Sequence, residues 1–358
     1  MFLHSTRNAP PAHRSTMLRP ATTVPIFAVH GLLGGARNRG LDTPAWRSGV
    51  LGQAGIAESL LGLEQSRVTV AQYIALFNAV KDSLDDECMG YLHGRPMRCG
   101  SFALMARSTL GERTLATALQ RLSQSFALLQ DDVALVPVCE GPRRGAALEM
   151  RGGPGVHGDF LHSLLLRVFW RMLVWLHGGR LVPQGFDFAF EAPPHAAGYA
   201  QIYSGTLRFG QPRSAVWFDD AAFAQPVHRD AVALRAFLHA TPGNLVGPRL
   251  IERDASAQVR ALLQQTCPEW PTLTATAQRL HMSVSALQRH LAAEGKSFQM
   301  LKDELRRDMA IVRLTSTRAS LHAIAVELGF TDSTSFQRAF KGWTGSAPGD
   351  YRSQAGKA

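Results

Sequence analysis

Two segments in the first half of the chain carry apolar residues at intervals of three and four. This spacing places them on one face of an α-helix, because a helix completes a turn in 3.6 residues. We therefore predict two amphipathic helices, one with the stripe Tyr73, Phe77, Val80 and Leu84, the other with the stripe Leu115, Leu119, Leu122, Phe126 and Leu129.

Short runs of β-branched and aromatic residues accompany these helices. Runs of this length and composition are typical of strands. Together with the helical stripes they predict a mixed α+β domain, with strands at VALVPV (133–138), AALEM (146–150), FDFAF (186–190) and AVWF (215–218).

The pattern changes after TPGNLVGP (241–248), which has two prolines and two glycines in eight residues. Such a cluster interrupts regular structure and marks a domain boundary. Beyond it the chain shows only helical periodicity. We predict a tail at 1–22, an α+β domain at 23–240, a linker at 241–250, an all-α domain at 251–353 and a tail at 354–358; Met17 is a second possible start.

The stretch ELGFTDSTSFQRAFKGWTG (327–345) contains the more legible half of an internal repeat. A short helix with one apolar face ends at Gly329, and Asp332 or Ser333 can cap the helix that follows. In that second helix the apolar side chains share one face. The opposite face carries Thr334, Gln337, Arg338 and Lys341, and Ser333 lies at its start.

An earlier segment has the same layout. Leu273, Ala277 and Leu280 form a supporting helix, His281 and Met282 make the turn, and Ser283 caps the next helix. That helix buries Val284, Leu287 and Leu291 and presents Ser285, Gln288, Arg289 and Ala292. A short helix, a tight turn and a second helix with an outer Arg/Gln/Ser face is the plan of the DNA-binding helix-turn-helix.

A third apolar stripe separates the two copies and predicts a helix of about 18 residues, or roughly 27 Å. A rigid element of that length can hold two recognition helices about one duplex turn apart, near 34 Å. One polypeptide could then read two successive major grooves. The stripe consists of Phe298, Leu301, Leu305, Met309 and Val312.

Composition narrows the class of protein without locating a site. The chain has 358 residues, is 46% hydrophobic and carries a formal charge of +10. The positive excess favours a polyanionic partner, but it is divided between the two halves. No apolar run is long enough to span a membrane, so we expect a cytoplasmic protein. Four widely separated cysteines predict reduced, mostly buried thiols.

The C-terminal residues closely resemble the DNA-binding domain of the AraC/XylS family of bacterial transcription regulators. The motifs MSVSALQR, EGKSFQML, IAVELGF, FQRAFKGWTG and APGDYR stand in the family's order within 256–353. The resemblance implies a bipartite seven-helix domain on promoter DNA, with RNA polymerase as a further partner. The implied base contacts come from Ser285, Gln288 and Arg289 in the first copy and Thr334, Gln337 and Arg338 in the second.

One position departs from the pattern. Many relatives carry a large or basic residue where this chain has Ser285, so the first copy is expected to discriminate less between sequences than the second.

Residues 24–238 resemble, less closely, the arabinose-binding-type effector domain that precedes the reader in part of the family. The matching pieces include ARNRGLD, the segment 84–119, APPHAAGYAQIYSGTLRFGQ and QPVHRD. The resemblance implies a small-molecule sensor that can also form a homodimer. The effector itself does not follow from it, and no cofactor is implied.

Four other features of the sequence allow competing interpretations. PIFAVHGLLGG (25–35) could be the strand and oxyanion loop of an α/β-hydrolase, with the helical domain as an assembly module; however, the chain has no GxSxG elbow, and a helix fits better. His93, Arg95 and Arg98 could hold an anionic effector or be surface residues. His157 and His162 are five apart, which disfavours a metal site. The apolar run 160–177 is interrupted by arginines, so we expect a helix in the core or at a dimer seam.

Overall fold

A computed structural model describes residues 23–151, 158–179, 181–227, 229–246 and 255–352. The described residues form an N-terminal α+β domain (23–246) and a C-terminal helical domain (255–352), which confirms the predicted fold class. His157, considered above as a metal ligand, and the two predicted tails lie outside the described residues.

Several helices of the N-terminal domain begin at a residue whose side chain caps them. The Oγ1 of Thr69 accepts the amide N–H of Gln72, and Thr114 caps through Thr117 in the same way, so both helices start with a capping box. The predicted stripes correspond to α3 and α5. The helices are α1 (Ile26–Asn38), α2 (Pro44–Gln53), α3 (Val70–Leu84), α4 (Ser101–Ser108), α5 (Leu115–Leu129), α6 (Asp159–Leu176), α7 (Ala231–His239) and α8 (Gly243–Val246), with 3₁₀ turns at Glu58–Gly62, Ala196–Gln201 and Asp220–Ala224.

The strands of this domain form two sheets. β1 and β2 pair antiparallel as a two-stranded ribbon, and the other five have the order β3-β4-β7-β5-β6. Only the β5–β6 pair is parallel. The strands are β1 (Thr23–Pro25), β2 (Arg67–Thr69), β3 (Val133–Glu140), β4 (Arg143–Met150), β5 (Gly185–Asp187), β6 (Thr206–Arg208) and β7 (Ser214–Asp219).

The register of the larger sheet places its two long strands in a hairpin. Val133 lies opposite Met150, and Glu140 lies opposite Arg143. β3 is an edge strand, which is why it can contain Pro137, a residue without an N–H for a second neighbour. One face of the sheet packs against α5 and α6. On the other face the guanidinium of Arg143 lies 4.9 Å from the ring centre of the buried Trp217.

The apolar run 160–177 forms α6 and is buried along most of its length. It lies in the core of the N-terminal domain, as one of the two predictions had it, and Arg167 and Arg171 are buried with it. Within the described residues no helix meets the length and hydropathy that a membrane span requires.

The hydrolase interpretation of PIFAVHGLLGG is wrong. The segment forms the start of α1, in which Ile26, Val29 and Leu33 are buried and His30 is exposed. An oxyanion loop requires backbone amides outside a helix, whereas here they make the helical hydrogen bonds. The prediction of buried cysteines is also only partly right, since Cys99 and Cys139 are exposed.

The first half of the predicted linker is folded. Thr241–Val246 follow α7 without a break and contain α8, which packs against α6. Pro242 and Leu245 are buried. The α+β domain therefore extends to the last described residue before the gap at 247–254.

The described residues 255–352 contain helices and the turns between them, and no strand. The helix predicted between the two copies of the repeat is the element Phe298–Ser316, which has 19 residues. The two copies provide the helix pairs on either side of it. The elements are α9 (Ala255–Gln265), α10 (Leu273–Arg279), α11 (Val284–Ala293), α12 (Phe298–Ser316), α13 (Leu321–Glu327), α14 (Ser333–Thr344) and α15 (Pro348–Arg352).

A buried polar cluster joins the two domains at the middle of α12. Asp308 is 2% exposed, although it lies in the apolar stripe of that helix. Its Oδ1 accepts a hydrogen bond of 2.6 Å from the Oγ1 of Thr23 on β1. Arg67 of β2 donates to Thr23 and lies 3.9 Å from the same carboxylate. From the C-terminal domain, Arg260 and Arg307 also donate to Asp308.

The positive charges of these arginines lie close together, so the charges of Arg307 and Arg260 disfavour the charged form of Arg67. Burial, reinforced by the charge of Arg307, lowers the pKa of Arg67 to about 10. The backbone N–H of Arg67 also donates to the Tyr351 hydroxyl at 3.2 Å, so β2 is held by α15 as well as by α12.

Replacing Asp308 by Ala should destabilise the protein by about 3–5 kcal/mol, because the buried Arg67 and Arg260 and the half-buried Arg307 lose a shared carboxylate. Chemical denaturation of the full chain measures the change. Asp303→Ala, which removes a more exposed carboxylate from the same helix, is the control and should cost far less. Equal denaturation midpoints for the two variants would show that the cluster does not hold the domains together.

Candidate nucleic-acid interface

The first helix pair, α10 and α11, is built as the repeat predicted. The hydroxyl of Thr272 caps α10 by accepting the amide of Ala275, and that of Ser283 caps α11 by accepting the amide of Ala286 at 3.1 Å. Ala277 and Leu287 are buried between the helices. The caps fix where each helix starts, and the buried side chains fix how the two helices pack.

The second pair, α13 and α14, repeats this arrangement. Ser320 caps α13, and the carboxylate of Asp332 caps α14 by accepting the amide of Ser335 at 2.7 Å. Of the two capping residues that the sequence left open, Asp332 is therefore the cap. The hydrogen bonds from Ser335 lower the pKa of this exposed carboxylate. Its negative charge interacts favourably with the positive end of the helix dipole.

The turns of the two pairs have the same backbone. His281 and Gly329 both take a left-handed conformation, with φ of 56° and 74°. The next amide donates to the carbonyl five residues earlier, Met282 to Ala277 and Phe330 to Ala325, each at 2.9 Å. This is the hydrogen-bond pattern that ends a helix at a left-handed residue. The internal repeat is thus a repeat of structure as well as of sequence.

The two turns differ in what surrounds the left-handed residue. A Cβ on Gly329 would lie 2.8 Å from the Cδ1 of Trp270, so this position admits no side chain. His281 is exposed, and its side chain points away from the core. Arg306 of α12 stacks over both Trp270 and Phe330, at 5.3 and 5.0 Å from the ring centres. The second turn is therefore enclosed by aromatic side chains, and the first is open to solvent.

The residues predicted to contact DNA lie on the outer faces of α11 and α14. Seven of them are exposed, and Ser333, at the start of α14, is half-buried. The opposite faces are closed, since Leu287, Phe336 and Phe340 have no exposed surface and Leu291 has 1%. The exposed residues are Ser285, Gln288 and Arg289 on α11, and Thr334, Gln337, Arg338 and Lys341 on α14.

A carboxylate at the end of α11 ties the first pair to α9. Glu294 accepts the amide hydrogens of Ala255 and Ser256 at 2.9 and 3.1 Å, so it caps the N-terminus of α9. The sequence did not single out this residue. A Glu just past the end of one helix gives no sign that it caps another helix 39 positions earlier.

The loop residues considered for an anionic effector already have partners. Arg95 donates to the Leu128 carbonyl and pairs with Asp131, while Arg98 lies 3.9 Å from Asp85. Both ion pairs lie at the surface, where such pairs contribute little to stability. His162, the second histidine of the metal interpretation, is buried and hydrogen-bonded to Ser214 at 2.8 Å. Among the described residues no group of three or more metal-ligating side chains occurs.

Two family models match the chain. The model for the N-terminal arabinose-binding domain of AraC transcription regulators matches residues 46–227. A helix-turn-helix domain model matches residues 276–354. These matches correspond to the α+β domain and to the helix pairs described above.

Relatives of the chain are transcription regulators. The ornithine utilization regulator of Pseudomonas aeruginosa is 24% identical over 332 residues, which cover 93% of this chain and 97% of that protein. VirS of Mycobacterium tuberculosis is 28% identical over 189 residues, 52% of this chain and 54% of VirS. The solved structure of the regulator CdpR from Pseudomonas aeruginosa is 18% identical, covers 91% of this chain and 98% of its own, and superposes with a TM-score of 0.27.

An effector-binding domain followed by a tandem helix-turn-helix domain defines a DNA-binding transcription regulator. The chain belongs to the AraC family of these regulators.

The two turns supply a matched pair of substitutions. Gly329→Ala should destabilise the C-terminal domain by about 1–2 kcal/mol from the left-handed backbone alone, and by more because of Trp270. His281→Ala, at the same position of the first turn, should change little, since a residue with a side chain already occupies that conformation. Thermal denaturation followed by circular dichroism measures both. Equal losses in the two variants would contradict the assigned role of Trp270.

Proposed function

We propose that the protein regulates transcription in the cytoplasm by inserting α11 and α14 into two successive major grooves of promoter DNA. The observation that carries this proposal is the pairing of two helices with closed apolar sides and exposed Arg/Gln faces, each held by the same turn. A solvated face needs no such repetition, whereas reading a duplex at two places does.

The exposed side chains suit base recognition. An arginine can donate two hydrogen bonds to guanine, and a glutamine can pair with adenine. Arg289 and Gln288 would do this from α11, and Arg338 and Gln337 from α14. Ser285, Ser333 and Thr334 keep the helix surfaces low, and Lys341 suits a phosphate. Because Ser285 is short, the first helix should read fewer bases.

The length of α12 supports two contacts one turn apart. Its 19 residues span about 28 Å at 1.5 Å per residue, and adjacent turns of B-form DNA are about 34 Å apart. The loops and recognition helices at its ends can make up the difference.

The contact between the domains supports the proposal that a small molecule controls the protein. A ligand bound to the N-terminal domain could favour one arrangement of the two domains, or of two protomers in a homodimer, and so change the fit to DNA. The buried contact through Asp308 gives such an arrangement a definite geometry. RNA polymerase is the proposed partner at the promoter.

The rival proposal is an enzyme or ligand-binding protein whose helical domain serves only for assembly. Salt distinguishes the two, because neutralising phosphates releases counterions and makes affinity fall steeply with ionic strength. A gel shift on the DNA upstream of the regulated gene, compared with random DNA across a salt series, should show a steep fall and a preference. Absence of any shift at low salt would overturn the proposed function.

Arg338→Ala should weaken binding to the preferred sequence by about 1–3 kcal/mol and relax specificity at one base pair. Gel-shift titration on the preferred site and on single-base variants measures both effects. Arg318→Ala, which removes an exposed arginine from outside the recognition helices, is the control for loss of charge alone. If Arg338→Ala bound every sequence as the wild type does, Arg338 would not be a base contact.

A further inference from the structure

The N-terminal domain has a partly open cavity of about 240 Å³ between α3, α4, α5 and α6. Its walls are mainly apolar and aromatic. Side chains from all four helices contribute, among them Phe77, Phe102, Phe126 and Phe169, and Met97 lines it from the loop before α4. A cleft with apolar walls and a few polar groups is the usual form of a small-molecule site.

The remaining wall comes from the segment that leads to the DNA-binding domain. Leu238, at the end of α7, and Thr241, Pro242 and Leu245 line the same cavity. These residues lie close to residue 246, where the described part of the N-terminal domain ends. A molecule in the cavity would therefore contact both the body of the N-terminal domain and the start of the connection to α9.

Two polar side chains that line the cavity, Asn78 and Lys81 of α3, can donate hydrogen bonds. Within the described residues the Asn78 side chain makes no hydrogen bond to the protein, although it is half-buried at the cavity wall. One turn further along α3, the ammonium of Lys81 pairs with the exposed carboxylate of Asp82 and lies 3.6 Å from the Sγ of Cys99. A surface ion pair of this kind is weak, so a ligand can compete for Lys81.

The nearby carboxylate of Glu87 is already engaged. It accepts the amide hydrogens of Gly100 and Phe102 at 2.8 and 2.6 Å, at the N-terminus of α4. Burial raises its pKa despite these bonds. Because both oxygens serve the helix, Glu87 is poorly placed to bind a cationic ligand.

We propose that this cavity is the effector site, and that it takes an apolar molecule of roughly ten non-hydrogen atoms whose single polar group is a hydrogen-bond acceptor, held by Asn78 and Lys81. The part of this inference that makes the ligand an effector rests on the proposed function. The size follows from filling the cavity at the packing density of a protein interior. A molecule with a charge at each end does not fit, because one charge would be buried against the apolar walls without a partner.

The test uses the full chain and four probes: octanoate, octanamide, octylamine and lysine. Isothermal titration calorimetry should show saturable binding of octanoate or octanamide, and binding at least tenfold weaker for octylamine and lysine. Octanoate and octanamide separate the two sources of the acceptor, a carboxylate or a neutral carbonyl. If neither acceptor probe bound, or if octylamine bound as tightly as they do, the proposal would be overturned.

A filled cavity provides the variant. Ala103 lines the cavity from α4 and is partly exposed, so Ala103→Phe can occupy the space without disrupting the core. It should weaken the acceptor probe's binding at least tenfold. Ala127→Phe, at an exposed alanine of α5, is the matched control and should bind as the wild type does. Circular dichroism confirms that both variants are folded, and undiminished binding by Ala103→Phe would place the probe elsewhere and refute the site.

A second variant tests the polar side chain of Asn78. Asn78→Asp should abolish octanoate binding by repulsion and spare octylamine. The acceptor probe that binds should also change the DNA affinity of the wild type at least threefold and leave that of Ala103→Phe unchanged. Probe binding with no change in DNA affinity would refute the effector assignment. Failure of the wild type to bind DNA without any probe would instead refute the proposed function, and the calorimetry would stand independently.

Discussion

The arrangement of the N-terminal effector-binding domain and the C-terminal helix-turn-helix domain depends on one buried carboxylate. Asp308 lies in the middle of α12, the helix that joins the two helix pairs, and it accepts hydrogen bonds from both domains. A carboxylate removed from water must keep its partners, since an unpartnered buried charge is costly. The helix-turn-helix domain is therefore held to the N-terminal domain at the middle of the helix that joins its two pairs. A change in the position of β1 or β2 would reach both pairs together.

The repeat shows how one backbone geometry can be reached from two sequences. The left-handed residue is a histidine in the first turn and a glycine in the second. Glycine is required only where Trp270 leaves no room for a Cβ. The enclosed second turn, with Arg306 between two rings, should hold α14 more firmly than the open first turn holds α11. The expectation that the second copy discriminates more strongly between DNA sequences rests on the short side chain of Ser285 and stays a prediction.

Local patterns predicted the long elements well. The stripe from Leu115 to Leu129 matches the bounds of α5, because a capping residue and five apolar positions act together there. The strands β1, β2 and β6 were missed, and the strand predicted at 186–190 overlaps β5 only at 186 and 187, since three residues are too few to show an alternation. The outer faces of α11 and α14 followed from helical periodicity. Their contact with DNA stays a prediction.

What sequence could not provide depends on contacts distant along the chain. The position of Asp308 in an apolar stripe indicates that this carboxylate is buried and needs a partner. The sequence does not identify that partner, because Thr23 is 285 positions away. The cavity beside α3 could not be foreseen at all. A void arises from how four helices fail to fill a space, and no one of them carries a mark of it. The position of the linker stays a prediction for a similar reason, because Pro and Gly composition does not reveal that Leu245, which lies within it, is buried.

Glu294 has a mechanical implication. By capping α9 from the end of α11, it joins the first described helix of the C-terminal domain to the second helix of the first pair. Arg260, on the same α9, also holds Asp308. These two contacts fix α9 both to the end of α11 and to the middle of α12. A displacement of α9 would therefore act on α11 directly, and would reach α14 only through α12.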